Sequence, residues 1–133
     1  MSESLDQVER LLEVAGRRFQ RLPDDTIVVA SAGRTPIALR LAAPVLVATV
    51  VIGDVPAEGE GPLLRRLLEL NAGALLHAAY GLVGRRIELS AALESQNLDL
   101  NELTAVLDDF DAALTEQVPE LVHMLPAAPP SGA

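Results

Sequence analysis

The stretch from Gly61 to Leu121 decides the fold, because it joins three segments with different sequence periodicities. The segments are PLLRRLLELN at 62–71, HAAYGLVGRRIELSAAL at 77–93 and DLNELTAVLDDFDAALTEQVPEL at 99–121. In the first, leucines occupy one side and charged residues the other, which is typical of an amphipathic helix. In the second, Gly84-Arg85 is suited to a tight turn between two strands. The stretch therefore predicts a helix, a β-hairpin and a second helix.

The last of these segments has both a start signal and an apolar stripe. Asp99 can cap the helix, and Glu102 three residues later completes the capping-box pattern. The stripe recurs every three or four residues and consists of Leu103, Leu107, Phe110, Leu114, Val118 and Leu121. We expect Pro119 to bend or end this helix, because proline has no backbone N–H to donate.

The first half of the chain predicts one helix followed by three strands. A stripe with helical spacing is formed by Leu5, Val8, Leu12, Ala15, Phe19 and Leu22. Helical ion pairs are expected at Asp6–Arg10 and Glu13–Arg17, and Pro23 and Asp24 are expected to end the helix. The strands are predicted at Thr26–Ser31, Pro36–Leu41 and Val45–Ile52. The predicted order of elements is therefore α-β-β-β-α-β-β-α.

The third predicted strand is apolar on both of its faces. One face carries Leu46, Ala48, Val50 and Ile52. The other face has Thr49 as its only polar residue and otherwise carries Val45, Val47 and Val51. Such a strand usually lies in the middle of a sheet that is covered on both sides. The alternative interpretation is that its second face binds a partner.

The composition fits one domain, predicted at 1–125, followed by a disordered tail at 126–133. The chain contains no cysteine, so it can form no disulfide and no thiolate metal site. Its N-terminal segment MSESLDQVER lacks the basic start and the apolar block of a signal peptide. Its longest apolar run, around Ala42–Ile52, is too short to span a bilayer. We therefore expect a soluble, cytoplasmic protein without membrane insertion.

The formal net charge of −9 arises in the C-terminal part of the chain. Acidic and basic residues balance up to Arg86, and every charged residue after it is acidic. This charge disfavours nucleic acid as a partner, because phosphate backbones are also negative. The default interpretation of the acids is a solvated helix face that contains Asp108, Asp109 and Asp111. The alternative is a ridge that binds a basic partner and contains Glu102, Asp109 and Glu116.

No residue pattern predicts catalysis or a bound cofactor. His77 and His123 lie in different elements, and neither has a ligand-type neighbour three or four residues further on. No serine stands in the G-x-S-x-G context of hydrolases, and no phosphate-binding or dinucleotide glycine pattern occurs. We therefore expect no cofactor, no metal site and no enzymatic activity.

The element order and three of its segments resemble the type III secretion chaperone superfamily. The segments are LLRRLLELN at 63–71, RIELSAAL at 86–93 and LDLNELTAVLDDFDAAL at 98–114. The similarity is greatest over Pro62–Leu121, and the branches most similar to this chain are the CesT (Tir chaperone) group and the YbjN-like proteins. The resemblance implies an α+β fold with a twisted antiparallel sheet packed by helices, and a homodimer.

The resemblance also implies a function and two surfaces. Chaperones of this kind are non-catalytic, and they hold an extended segment of a client or effector protein ready for export. Their dimer contact would correspond here to Leu64, Leu67 and Leu68. The client-binding surface is expected at Val45, Val47 and Val51. The YbjN-like branch implies instead a regulatory or stress-response protein, so two functions stay open at this point.

Overall fold

The structure is a computed structural model that describes residues 5–33 and 35–126. Over these residues the chain forms four helices and six strands. The helices are α1 (Leu5–Val14), α2 (Gly61–Gly73), α3 (Leu100–Glu116) and α4 (Val118–Val122). The strands are β1 (Phe19–Arg21), β2 (Thr26–Val29), β3 (Ile37–Ala42), β4 (Val45–Asp54), β5 (Ala79–Val83) and β6 (Arg86–Glu94). They form one antiparallel sheet in the order β1-β2-β3-β4-β6-β5, so the predicted α+β class is confirmed.

The hydrophobic core lies between one face of the sheet and the helices. A fully or largely buried row crosses four strands through Ile27, Leu39, Ala48 and Ala91. Side chains of successive strand residues point to opposite faces. On β3, β4 and β6 the residues that alternate with the core positions are all at least partly exposed. The helices therefore cover only one face of the sheet.

The first helix ends earlier than its apolar stripe predicts. α1 stops at Val14, and Gly16 adopts a φ of 74°, a left-handed conformation that glycine takes without steric cost. The N–H of Gly16 donates to the carbonyl of Glu13, and the N–H of Arg17 donates to the carbonyl of Leu12. These two bonds form a Schellman motif, which satisfies the carbonyl groups at the end of the helix.

Residues 19–21 form the edge strand β1 in place of the last helical turn. Phe19 lies opposite Val29 and packs, partly buried, against the core. The predicted helix to Leu22 is therefore wrong in its last turns. Apolar spacing alone could not reveal this, whereas Gly16 has a low helix propensity and offers a natural end.

The second half of the chain follows the predicted order with shifts at the ends of elements. Both bonds of the predicted capping box form, from the Glu102 N–H to Asp99 Oδ1 at 2.8 Å and from the Asp99 N–H to Glu102 Oε1 at 3.3 Å. The hairpin turns at Gly84, which has a φ of 63°. β5 begins at Ala79 and not at Leu76, and the segment around Pro119 forms the separate short helix α4.

Strand β4 connects the two halves of the chain. It pairs with β3 on one side and with β6, through nine residue pairs, on the other. A shift in register between Val51 and Gly53 interrupts the second ladder. Gly53 also leaves room for the C-terminal segment, because a Cβ atom there would lie 2.7 Å from Leu125 Cδ1.

Within the described residues, none of the helices combines the length and the apolar composition that crossing a bilayer would require. Pro126 is the one residue of the predicted tail, 126–133, that belongs to the described part of the chain. The limits of the predicted domain therefore stay a prediction.

Candidate functional site

The three valines predicted to bind a client lie on the uncovered face of the sheet. Along β4, Leu46, Ala48 and Val50 are buried beneath the helices, and the residues between them point the other way. Val45 and Val47 are partly exposed, and Val51 is 51% exposed. The interpretation of β4 as a central strand is correct, but in this chain its second face has no covering layer among the described residues.

Neighbouring strands extend this uncovered surface with small side chains. Val47 lies between Arg40 of β3 and Ala92 of β6, and Thr49 lies between Ala38 and Ser90. We call the open face the surface formed by Val28, Ala38, Val45, Val47, Thr49, Val51, Ser90 and Ala92. Its side chains are short and mostly apolar, so it is a smooth surface that an apolar partner can approach closely.

Charged groups border the open face at its two ends, with Arg40 and Glu94 beside Val47 and Val45, and the pair Arg86–Glu88 beside Val51. Arg40 donates from Nε to Thr26 Oγ1 at 3.2 Å, and no carboxylate within residues 5–33 and 35–126 forms an ion pair with it. At the other border, Arg86 Nη2 lies 2.7 Å from Glu88 Oε2. The open face therefore offers the guanidinium of Arg40, which a partner's carboxylate could reach.

The three leucines predicted at the dimer contact lie on α2, away from the open face. Leu67 is only 5% exposed, Leu64 is partly buried, and Leu68 is 69% exposed. A groove of about 390 Å³ runs between α2 and the edge strand β5 and is lined by Leu64, Leu67, Leu68, Asn71, Tyr80, Gly81 and Leu82. We call it the leucine groove. The two predicted surfaces are thus separate, one on the sheet and one beside its edge.

Tyr80 forms the floor of the leucine groove and is held from two sides. Its hydroxyl donates to Gln117 Oε1 at 2.7 Å. Its backbone N–H donates to Asn71 Oδ1 at 2.8 Å, and its carbonyl accepts from Asn71 Nδ2 at 3.0 Å. Burial raises the pKa of the Tyr80 hydroxyl well above its usual value, and the negative charges of Asp109 and Glu120 raise it further. The phenol is therefore a neutral structural group.

Asp109 is buried, so its predicted place on a solvated acidic face is wrong. It is 9% exposed, and its carboxylate accepts hydrogen bonds from three consecutive backbone N–H groups. The N–H groups of His77 and Ala78 each lie 2.8 Å from Oδ2, and that of Leu76 lies 3.2 Å from the same oxygen. Asp109 thus fixes the segment that leads from α2 into β5.

A signal for this burial was present in the sequence. Asp109 follows Val106 by three residues and precedes Ala113 by four, and both of these are buried on α3. Residues at such spacings share a helix face. The acid therefore stands at the margin of the apolar stripe, where a carboxylate can reach the neighbouring loop.

Several other acids of the C-terminal part also have partners within the chain. Arg17 places Nη2 3.0 Å from Asp108 Oδ1 and Nη1 2.8 Å from Asp111 Oδ2. Asp111 Oδ1 also accepts from the N–H of Ala32 at 2.9 Å. The predicted pair Glu13–Arg17 gives way to these contacts because Arg17 lies beyond the end of α1. The excess of negative charge thus contributes to the packing of α3 against two loops.

The described residues contain no group of three His, Asp or Glu side chains arranged to hold a metal ion. The fold and its surfaces define a small α+β protein with two apolar surfaces suited to protein contact. The chain belongs to the CesT_Tir_1 family, whose model matches residues 1–126. The predicted resemblance to secretion chaperones is thereby confirmed, and the chain is a member of a chaperone family. No curated protein sequence matches it.

Solved structures with the same fold include chaperone–effector complexes and YbjN. A chain of the heterodimeric ExoU–SpcU complex from the type III secretion system of Pseudomonas aeruginosa has a TM-score of 0.67 and 21% identity, covering 89% of this chain and 97% of its own length. YbjN of E. coli, a candidate transcription regulator, has a TM-score of 0.69 and 12% identity, with coverages of 92% and 94%. A chain of the HopA1–SchA chaperone–effector complex has a TM-score of 0.61 and 10% identity, with coverages of 90% and 92%. At these identities the comparison demonstrates a shared fold.

Proposed function

We propose that the protein is a non-catalytic cytoplasmic chaperone that binds an extended segment of an effector or other client protein. The observation that carries this proposal is the open face, where the central strand β4 presents Val45, Val47 and Val51 without a covering layer among the described residues. Membership of the CesT_Tir_1 family and the fold shared with chains of chaperone–effector complexes support the same function.

The chemistry of the open face fits a client of a defined kind. Short apolar side chains form a smooth surface, and apolar client residues gain free energy when they leave water to pack against it. Arg40 borders the surface without a carboxylate partner among the described residues, so an acidic residue in the client can pair with it. We therefore propose that the bound segment is apolar and carries a carboxylate near the end that meets Arg40.

We also propose that the protein forms a homodimer through the leucine groove. Leu68 is largely exposed on α2, and exposed Leu82 lies across the groove on β5. On the same helix, Arg65 Nε lies 3.4 Å from Glu69 Oε2, and both side chains are largely exposed. Two copies of α2 packed antiparallel about a two-fold axis would bring Arg65 of each copy towards Glu69 of the other, which makes the surface self-complementary.

The client proposal is tested by capture of a client from cells, with two valine variants of equal exposure. Val51 on the open face and Val122 on α4 are each 51% exposed. Val51→Asp places a charge in the proposed contact, and we expect it to abolish capture. Val122→Asp introduces the same charge on the helix side and should leave capture intact. The captured client is identified by mass spectrometry, and undiminished capture by both Val51→Asp and Val47→Asp would move the client elsewhere.

The second candidate is a regulatory protein of the YbjN kind, which the shared fold with a TM-score of 0.69 supports. A regulator of this kind would contact a folded partner. Limited proteolysis of the complex separates the two functions. A chaperone's client is cut readily outside one short protected segment, because the rest of it is held unfolded. A regulated partner resists cleavage throughout its folded domain, both bound and free.

A further inference from the structure

The outer edge of the sheet at β5 already has hydrogen-bond partners, although no strand pairs with it. In an antiparallel ladder, every second residue of an edge strand points its N–H and C=O away from the neighbouring strand. The N–H and C=O of Tyr80 point away from β6, as their hydrogen bonds to Asn71 of α2 at 2.8 and 3.0 Å show. The side-chain amide of Asn71 uses one N–H of its NH2 group as donor and its oxygen as acceptor, both on one planar group, and it thus substitutes for the peptide of an added strand.

Two residues earlier on the same edge, a backbone N–H is hydrogen-bonded to a different side chain. Ala78 precedes β5, and its N–H donates to Asp109 Oδ2 at 2.8 Å. Leu82, two residues after Tyr80, is the remaining outward-facing position before the turn at Gly84. A single unpaired position is too short for a strand to pair with, since added strands need several successive bonds. The edge is therefore closed over most of its length.

The opposite edge of the sheet differs. In β1 the bonds from Ala30 N–H to Arg18 C=O and from Leu22 N–H to Thr26 C=O show that the even-numbered residues face β2. Phe19 and Arg21 accordingly point their backbone groups outward. No side chain among the described residues caps these groups as Asn71 caps Tyr80. The two edges of the sheet thus differ, because side chains bind the outward backbone groups at β5 but not those at β1 among the described residues.

We infer that Asn71, together with Asp109, closes the β5 edge, so that a second copy of this chain contacts the leucine groove through side chains and does not extend the sheet. The occupant is a second copy because the groove is flanked by the self-complementary pair Arg65 and Glu69. The groove lies directly beside the closed edge, and Asn71 lines it. The part of this inference that concerns a second copy rests on the proposed dimer. The closure of the edge depends neither on the dimer nor on a client.

The test measures backbone hydrogen exchange of the full chain by NMR, below and above the concentration at which it associates. We expect the Tyr80 amide to exchange slowly and equally in both states, because Asn71 holds it in each. In the associated state the Leu82 amide should show no through-hydrogen-bond coupling to a carbonyl of the second copy, because side chains and not a strand cover it. Asn71→Ala should accelerate Tyr80 exchange about tenfold or more in both states. Asn101→Ala, at an exposed asparagine of α3, is the control and should leave Tyr80 unchanged.

The outcomes separate the edge from the dimer. A through-hydrogen-bond coupling between the Leu82 amide and a carbonyl of the second copy would overturn the inference, because it would mean that a strand is added at this edge. Tyr80 exchange unaffected by Asn71→Ala would overturn the role of Asn71. If the protein stays monomeric at all concentrations, the proposed dimer is wrong, and with it the binding of a second copy in the groove. The exchange rate of the Tyr80 amide still tests whether Asn71 closes the edge. If Asn71→Ala does not fold, the Leu82 measurement on the unmodified chain decides.

Discussion

Arg66 of α2 and Glu120 of α4 form a two-pronged ion pair, with Nε 2.8 Å from Oε2 and Nη2 3.1 Å from Oε1. The two residues are 54 positions apart in sequence, and their ion pair connects α2 with α4. The hydrogen bond from Arg66 lowers the pKa of the Glu120 carboxyl below its ordinary value, and the positive charge of the guanidinium lowers it further. This contact between α2 and α4 therefore depends on pH.

Replacing Arg66 by glutamine should raise the pKa of Glu120 towards its ordinary value of 4.5. The folded-state pKa is lowered, so the contribution of this pair to stability is present above pH 4.5 and is lost as the pH falls through the folded-state pKa. Titration of the Glu120 carboxyl by carbon-13 NMR measures the shift. Arg65→Gln is the control, since Arg65 contacts Glu69, and an equal effect of both variants would contradict the assignment.

Asp109→Asn should destabilise the fold by about 3 kcal/mol, because three backbone N–H groups would meet an amide in place of a carboxylate. Asp108→Asn is the matched control on the preceding residue. Asp108 is exposed and contacts Arg17 at the surface, so its loss should cost less than about 1 kcal/mol. Urea unfolding followed by circular dichroism gives both values. Equal costs would mean that the buried carboxylate has no special role.

Tyr80 should resist ionisation in the folded protein. Its pKa is raised by burial, so the contribution to stability is fully present below the ordinary value of 10.0 and is lost as the pH rises above it. The chain has one tyrosine and no tryptophan, so phenolate absorbance reports Tyr80 alone. At pH 10.0 we expect less than about a tenth of the full signal. Half-ionisation at that pH, with the circular dichroism spectrum unchanged, would disprove the burial of the hydroxyl.

Leu68→Glu should dissociate the proposed homodimer without unfolding the chain, because Leu68 is 69% exposed. Sedimentation velocity at tens of micromolar would then give a monomer. Leu76→Glu is the control, since Leu76 is 87% exposed and lies outside the leucine groove. Leu67→Glu is unsuitable as a test, because Leu67 is buried and a carboxylate there would unfold the protein. Retention of the dimer by Leu68→Glu would exclude the groove as its interface.

The second half of the chain was predictable because its signals are local. The capping box joins Asp99 to a residue three positions away, and the hairpin turns within two residues at Gly84. Each signal fixes a backbone conformation where it occurs. The order of elements therefore followed directly from the sequence.

The end of α1 has a local cause at Gly16, whereas the errors about polar contacts concern residues far apart in sequence. Arg17 pairs with Asp108 across 91 residues, and no local spacing announces that pair. The spacing of Asp109 to Val106 and Ala113 marks its place beside the apolar stripe, but the backbone N–H groups that it binds lie in a distant loop that no local pattern identifies. The closed edge at Tyr80 likewise required the position of α2. Sequence periodicity predicts which apolar residues share a face of an element. Tertiary contacts decide which polar side chains are buried beside them.

The nine-pair ladder between β4 and β6 makes the two halves of the chain a single cooperative folding unit. Residues up to Asp54 form four adjacent strands and residues from Gly61 form two, so neither half completes the sheet alone. Each isolated half would expose a long apolar strand edge, which favours aggregation. During synthesis β4 therefore remains without its second neighbour until β6 has been made. Two fragments separated within the loop at 56–60 should reassemble on mixing, since that ladder provides the template for their association.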